Sequence, residues 1–127
     1  MAGTVLVTGA SGYIAGEVIR QLLAKGWVVH GTVRNVAKSE AGLRARLGNP
    51  SADQFRLFAA ELMSDAGWAE AMQGCTHVAH VASPIPAQAP KHEDELIIPA
   101  REGTLRALRF ARDAGVNRFV QTSSTAA

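Results

Sequence analysis

A glycine-rich stretch near the start of the chain is the clearest sign of chemistry in the sequence. It runs Thr-Gly-Ala-Ser-Gly-Tyr-Ile-Ala-Gly over residues 8–16, between a short apolar segment and a helical pattern. Gly9 permits a tight turn, Gly12 lets the backbone approach a pyrophosphate, and Ala15 is small enough for the helix to pack close to a sheet. Free backbone N–H groups at the start of the helix would attract the anion. In this position the pattern predicts a nucleotide-binding loop.

A basic pair, Arg34 and Lys38, follows the second apolar segment. A site that selects NAD usually places Asp or Glu here, where the carboxylate binds the ribose 2′-hydroxyl. A guanidinium fork and an ammonium one helical turn apart instead suit a 2′-phosphate. The sequence therefore predicts NADP rather than NAD as the cofactor. The alternative is that both residues are ordinary surface charges.

Ser124, at the end of the last apolar segment, is the candidate catalytic side chain. Open α/β sheets bind ligands at the carboxyl ends of their strands, so its hydroxyl could hold a substrate carbonyl in place for hydride transfer. The alternative interpretation is that Ser123 and Ser124 only terminate a strand.

Strand-type and helix-type apolar patterns alternate along the chain. The predicted strands span residues 4–8, 27–33, 55–59, 76–82 and 118–122. The predicted helices span residues 12–25, 37–47, a segment capped by Ser64 or Asp65 that ends at 72, and 93–114. Pro99 is expected to kink the last helix, and the proline-rich residues 83–90 are expected to form a loop.

This alternation predicts an α/β fold: a Rossmann-type, doubly wound parallel sheet with five strands in the order 3-2-1-4-5. We expect one NAD(P)-binding domain over residues 1–127, truncated before a sixth strand. An uncovered edge on the fifth strand would make the domain marginally stable and prone to aggregation or homodimer formation.

Composition narrows the class of protein further. The chain has 127 residues and a formal net charge of +2, which predicts one compact domain. No apolar run approaches the roughly 20 residues of a membrane span, so no membrane role is expected. The arginines are densest over residues 101–112, where Glu102 and Asp113 lie among or beside them. This pattern is typical of a solvated helix face and predicts no nucleic-acid binding.

The single cysteine and two nearby histidines indicate neither a disulfide nor a metal site. Cys75 is the only cysteine and cannot form an internal disulfide, as expected in a reducing compartment such as the cytoplasm. It lies just before a buried strand and is expected to be an inert apolar side chain. His77 and His80 have a spacing seen in metal sites, but residues three apart in a strand point to opposite faces, so no metal is expected.

Five motifs in order resemble the extended short-chain dehydrogenase/reductases. They are the glycine loop, Thr-Val-Arg at 32–34, His-Val-Ala-Ser-Pro at 80–84, Pro-Ala-Arg-Glu-Gly-Thr at 99–104 and Thr-Ser-Ser at 122–124. The chain looks most like the dihydroflavonol reductase and NADPH-dependent aldehyde reductase branch of the NAD-dependent epimerase/dehydratase family. The resemblance covers all 127 residues. It implies an NADP-dependent oxidoreductase that acts on a small-molecule carbonyl or alcohol.

The resemblance also implies roles for individual residues. The family's adenine-contacting Asp-Leu pair falls on Glu61 and Leu62, whose acid is one methylene longer. Ser124 matches the catalytic serine. The other implied cofactor contacts are Gly9, Ser11, Gly12, Tyr13 and Ile14 at the pyrophosphate, Arg34 and Lys38 at the 2′-phosphate, and Val81, Ala82, Ser83, Thr122 and Ser123 towards the nicotinamide.

The family's general acid is a Tyr-x-x-x-Lys motif, in which the ammonium lowers the pKa of the tyrosine. The only tyrosine here is Tyr13, and Glu17 lies four residues on. The resemblance places the motif beyond residue 127, so we expect no useful turnover from this chain alone. Two alternatives are a non-catalytic NADP-binding sensor or regulatory module, and a sugar-nucleotide epimerase or dehydratase. Arg34 argues against the latter, which would tend to use NAD.

Overall fold

The computed structural model describes residues 3–82 and 92–123 and shows strands and helices in alternation. The strands are β1 (Thr4–Val7), β2 (Val28–Val33), β3 (Phe55–Ala59), β4 (His77–His80) and β5 (Arg118–Gln121). The helices are α1 (Tyr13–Ala24), α2 (Val36–Arg46), α3 (Trp68–Met72) and α4 (Asp94–Asp113).

All five strands form one parallel sheet in the order β3-β2-β1-β4-β5. Leu6 of β1 pairs with His30 of β2 on one side and with Val78 of β4 on the other. The strand order therefore reverses between β1 and β4, where doubly wound sheets open a crevice at their carboxyl edge. The predicted fold class, a Rossmann-type α/β sheet in this strand order, is confirmed.

Alternate side chains of the strands build one apolar layer on each face of the sheet. On one face, Val5, Val7 and Val29 pack with Ile19 of α1 and Leu43 of α2. The other layer joins the sheet to α3 and α4 and consists mainly of Leu6, Val78, Trp68, Met72, Ala107 and Ala111. Both layers are buried, so each face of the sheet is held to its own pair of helices.

Most predicted boundaries agree with the structure within one or two residues, and β1 and β4 end earlier than predicted for a physical reason. Thr8, Val81 and Ala82 lie beyond the observed ends of β1 and β4. The backbone N–H groups of Val81 and Ala82 donate to the Thr8 hydroxyl, both at 2.9 Å, rather than to a strand partner. The chain therefore leaves the sheet where it begins to shape a loop.

The predicted start of the third helix is wrong. Helix α3 begins at Trp68 after Gly67, which has φ +85° and supplies no side-chain cap. Ser64 instead accepts from the backbone N–H of Ala66, and Asp65 pairs with arginines of α4. Both candidate caps are therefore engaged elsewhere.

Helix α4 continues through Pro99, and a kink there stays a prediction. The predicted loop at residues 83–90 lies outside the described residues. Within the described ranges, no helix is both long and apolar enough to cross a membrane.

Cys75 and the histidine pair agree with the sequence analysis. Burial raises the pKa of the Cys75 thiol to about 11, so it packs as a neutral side chain. His77 and His80 lie on opposite faces of β4: the His77 ring meets Trp27, and the His80 ring lies near Phe119.

Two glycines in the same backbone conformation provide a test of the α3 start. Gly67 has φ +85°, and a Cβ there would lie 2.0 Å from the carbonyl oxygen of Ala59. Gly74 has φ +78°, and no heavy atom of the described residues lies within 4 Å of its Cβ position. We expect Gly74→Ala to lower the free energy of unfolding by about 1–2 kcal/mol through backbone strain alone. Gly67→Ala should cost about 2 kcal/mol more because the backbone must shift. Urea denaturation of both variants measures the difference, and equal losses would contradict this account.

Candidate functional site

A cleft of about 860 Å³ opens at the carboxyl ends of β1, β2 and β4. It lies at the reversal of strand order, where the fold favours a ligand. Eleven of the predicted cofactor residues line it: Gly9, Ser11, Gly12, Tyr13, Ile14, Arg34, Lys38, Glu61, Leu62, Val81 and Ala82. The sheet therefore brings residues from four separate segments to one site.

Thr122 and Ser123 are not among the described residues that line this cleft. Thr122 and Ser123 are exposed beyond the end of β5, where the Thr122 N–H donates to the His80 carbonyl at 3.1 Å. Ser83 and the catalytic candidate Ser124 lie outside the described residues.

The glycine loop packs closely against the carboxyl edge of the sheet. Gly9 has φ +65°, and a Cβ there would lie 3.0 Å from the Cβ of Ala82. Its N–H donates to the Thr32 hydroxyl at 3.1 Å, and the Ala10 N–H donates to the Thr32 carbonyl at 2.8 Å. These contacts fix the loop between the ends of β2 and β4. Gly9 is therefore required by both its conformation and the available space.

The first turn of α1 is open to an anion. Gly12 caps the helix without a side-chain hydrogen bond, and the first turn contains no acidic residue. The first N–H groups of a helix have no partner within the helix and carry the positive end of its dipole. Their position beside the cleft supports the predicted phosphate-binding role of the loop.

Thr8 is a central residue of the site that sequence reasoning treated only as part of the glycine motif. Its hydroxyl accepts two backbone N–H groups, from Val81 and Ala82, and therefore donates its own hydrogen to Nδ1 of His80 at 2.9 Å. His80 is 1% exposed, and burial lowers its pKa to about 4. The ring is thus neutral near pH 7, with its proton on Nε2. The signal in the sequence was a hydroxyl and an imidazole at the ends of neighbouring strands.

One corner of the cleft is basic. Arg34 and Lys38 are exposed, and neither makes an ion pair with another described residue. The Asn35 side chain caps α2 by accepting from the Lys38 N–H at 3.1 Å, and the first turn of α2 also contains no acid. Glu61 is the only carboxylate among the described lining residues, on the segment after β3. The corner can therefore attract a doubly charged phosphate.

A tryptophan that sequence reasoning missed supports the Glu61 segment. The indole N–H of Trp68 donates to the carbonyls of Glu61 and Ser64, at 3.0 and 2.9 Å. Trp68 also lines the cleft and is almost fully buried. Within the described ranges, no three His, Cys, Asp or Glu side chains are grouped so that they could hold a metal ion.

A parallel sheet with this strand order, and a glycine loop joining β1 to α1 at the reversal, defines a Rossmann-type domain. The sequence model of the NAD dependent epimerase/dehydratase family matches residues 5–127. The chain belongs to this family.

Known reductases are similar to nearly the whole chain. A dihydroflavonol 4-reductase from Hordeum vulgare is 40% identical over 124 residues, which cover 96% of the chain and 35% of that protein. Aldehyde reductase 2 from Sporidiobolus salmonicolor is 40% identical over 123 residues, which cover 95% of the chain and 35% of that protein. Yeast methylglyoxal/isovaleraldehyde reductase Gre2, solved with NADPH, has a TM-score of 0.83 and 30% identity over 98% of the chain and 38% of its own. The chain spans just over a third of these relatives' length.

The Thr8 junction can be tested with a nearly isosteric change. Thr8→Val removes three hydrogen bonds and leaves two N–H groups and an imidazole nitrogen without their partner. We expect the free energy of unfolding to fall by about 2–4 kcal/mol. Thr8→Ser keeps the hydroxyl and should cost only about 1 kcal/mol for the lost methyl group. Chemical denaturation compares the two, and equal losses would show that the three hydrogen bonds of the hydroxyl contribute no more to stability than the methyl group does.

Burial of His80 predicts a pH dependence of stability. Its pKa is about 4 in the folded chain against 6.5 for an ordinary histidine, so the unfolded chain binds the proton first. Stability should therefore fall as the pH drops from 6.5 towards 4, by about 3 kcal/mol from this group. His80→Asn can still accept from Thr8 without titrating, and should lose that part of the slope. Unfolding titrations between pH 4 and 7 measure it, and an unchanged slope in the variant would refute the assignment.

Proposed function

We propose that this chain is the NADP(H)-binding portion of an NADP-dependent oxidoreductase that interconverts a carbonyl and an alcohol on a small molecule. The observation that carries the proposal is the basic corner, where Arg34 and Lys38 stand without an acidic partner in the described structure. An NAD-selective site would carry a carboxylate there. The similarity to reductases, one of them solved with NADPH, supports the same cofactor.

The residues of the cleft fit this cofactor from one end to the other. The cleft volume of about 860 Å³ lies within the range of small-molecule sites. Residues 9–14 would hold the pyrophosphate, and Glu61 with Leu62 would meet the adenine. Arg34 and Lys38 would bind the 2′-phosphate. Val81, Ala82, Ser83, Thr122 and Ser123 complete the proposed set towards the nicotinamide.

The chemistry divides between the cofactor and the protein. Bound NADPH supplies the hydride. The chain's own residues bind the phosphates and orient the cofactor, and we assign to Ser124 the role of holding the substrate carbonyl through its hydroxyl. The same proposal makes residues 1–127 the cofactor-binding portion of a longer reductase.

The partners and the compartment are also proposals. We propose a cytoplasmic protein that binds no nucleic acid and can form a homodimer. Arg106 and Arg109 both pair with Asp65, and Arg112 pairs with Asp113, which leaves these cations less free to bind phosphates.

The basic corner predicts discrimination between the two nicotinamide cofactors. Arg34→Ala should weaken NADPH binding by about 10- to 100-fold, because hydrogen bonds to a charged group contribute about 1.5–3 kcal/mol. NADH binding should change less than about twofold, since NADH has no 2′-phosphate. Titration of reduced-nicotinamide fluorescence measures both dissociation constants.

Arg118→Ala is the matched control. It makes the same change in net charge at the amino end of β5, whereas the cleft lies at the carboxyl ends of the strands. Its NADPH affinity should equal that of the wild type. A wild-type chain that binds NADH as tightly as NADPH would make the NADP assignment wrong. An Arg34→Ala variant that keeps the full preference for NADPH over NADH would make the role of Arg34 wrong.

A further inference from the structure

Arg106 of α4 holds the loop that follows β3 by two acceptors. Its Nε donates to Oδ1 of Asp65 at 2.6 Å, and its guanidinium also donates to the carbonyl oxygen of Leu62. The Arg106 side chain is only 16% exposed, whereas the Asp65 side chain is 60% exposed. Arg106 lowers the pKa of the Asp65 carboxyl, so the pair stays charged over a wide pH range. The largely buried Arg106 guanidinium therefore hydrogen-bonds both to the backbone and to a side chain of this loop.

The same loop is held by two further contacts, one to α4 and one to α3. The Leu62 side chain packs on Gly103 of α4 so closely that a Cβ there would lie 2.8 Å from Cδ2 and 2.9 Å from Cβ of Leu62. From the other side, the Trp68 indole donates to the Glu61 and Ser64 carbonyls. Three loop carbonyls, those of residues 61, 62 and 64, therefore accept hydrogen bonds from side chains of α3 and α4.

Arg106 and Gly103 support one wall of the cleft without lining it. Glu61 and Leu62 line the cleft, whereas Arg106 and Gly103 are not among its lining residues. The planar guanidinium presents several donors in a fixed geometry, so one arginine can bridge an acid and a carbonyl. The position of α4 therefore determines where the Glu61 carboxylate and the Leu62 side chain stand.

We propose that Arg106 is a positioning residue for the adenine end of the cofactor cleft. By bridging Leu62 and Asp65, Arg106 holds the Glu61 carboxylate where this group would accept a hydrogen bond from the exocyclic amine of adenine. It also holds the Leu62 side chain against the base. This inference rests on the proposed function. Arg106 acts through the loop and touches no part of the cofactor.

Comparison of two nucleotides tests the role at the base. Deamino-NADPH carries hypoxanthine, whose carbonyl replaces the amine of adenine and cannot donate to Glu61. The wild-type chain should bind NADPH more tightly than deamino-NADPH. Arg106→Leu should weaken NADPH binding by about three- to tenfold, part of the contribution of a hydrogen bond to a carboxylate. It should weaken deamino-NADPH less, because that nucleotide loses only the contact with Leu62. Fluorescence titration gives both dissociation constants. A general loss of structure would weaken both nucleotides alike.

Arg109→Leu is the matched control. Arg109 lies on the same helix and pairs with the same Oδ1 of Asp65, at 2.7 Å, and none of its hydrogen bonds in the described structure reaches the Leu62 carbonyl. Removing it takes away the same charge and one of the two partners of Asp65. Its nucleotide affinities should equal those of the wild type.

Gly103→Ala perturbs the loop by a different physical route. Alanine has a higher helix propensity than glycine, so the substitution does not weaken α4 itself. The added methyl group must displace Leu62, and the preference for NADPH over deamino-NADPH should shrink as it does in Arg106→Leu. In the ligand-free chain, hydrogen exchange of the amides at residues 62–66 should quicken in Arg106→Leu and not in Arg109→Leu.

The outcomes separate this inference from the proposed function. Suppose that the wild type prefers NADPH over deamino-NADPH and that both Arg106→Leu and Gly103→Ala keep that preference in full. Then the role of Arg106 is wrong and the proposed function stands. Equal affinity of the wild type for NADPH and deamino-NADPH would likewise overturn only this role. A wild-type chain that binds neither nucleotide would overturn the proposed function and this role together.

Discussion

The hydroxyl of Thr8 joins the ends of β1 and β4, and the geometry of the cleft depends on that junction. It uses all three of its hydrogen-bonding positions, on two backbone N–H groups and on the His80 ring. The strands separate directly beyond it, which lets the glycine loop cross with Gly9 against Ala82. Because a buried group without its partner is costly, this arrangement has few alternatives. The edge of the sheet is therefore a fixed surface.

Charge is distributed unevenly over this scaffold, and the unevenness indicates where a ligand binds. Arg106, Arg109 and Arg112 of α4 have acidic partners, whereas Arg34 and Lys38 have no ion pair in the described part of the chain. The helices on either side of this corner, α1 and α2, begin without acidic residues. Unpaired cations beside two positive helix ends produce a local field that a surface of paired charges does not. A phosphate-rich ligand would supply the missing negative charge.

Local patterns in the sequence predicted most of the fold and the glycine loop that lines the cleft, because both depend on short-range rules. Alternation of strands and helices gives the sheet order, and the spacing of Gly9 and Gly12 gives the loop. The start of α3 was predicted wrongly because Asp65, a plausible cap, binds Arg106 from 41 residues away. No local pattern reports such a contact. The bond between Thr8 and His80, 72 residues apart, was missed for the same reason.

The two ends of the cleft are consequently held by different physical means. At the end with the glycine loop and the basic corner, the Thr8 junction is supplemented by local hydrogen bonds. Asn35 caps α2 by accepting from the Lys38 N–H, and the Thr32 hydroxyl accepts from the Gly9 N–H, 23 residues away. At the Glu61 end, the loop is held by α4 through contacts that span 41 to 44 residues. Salt screens the exposed cations and should weaken the first end while leaving the packing of the second intact. Loosening of α4 should have the opposite effect, because the glycine loop makes no hydrogen bond to α4 within the described residues. For the proposed cofactor, affinity for the phosphates and selectivity for the base could therefore vary independently.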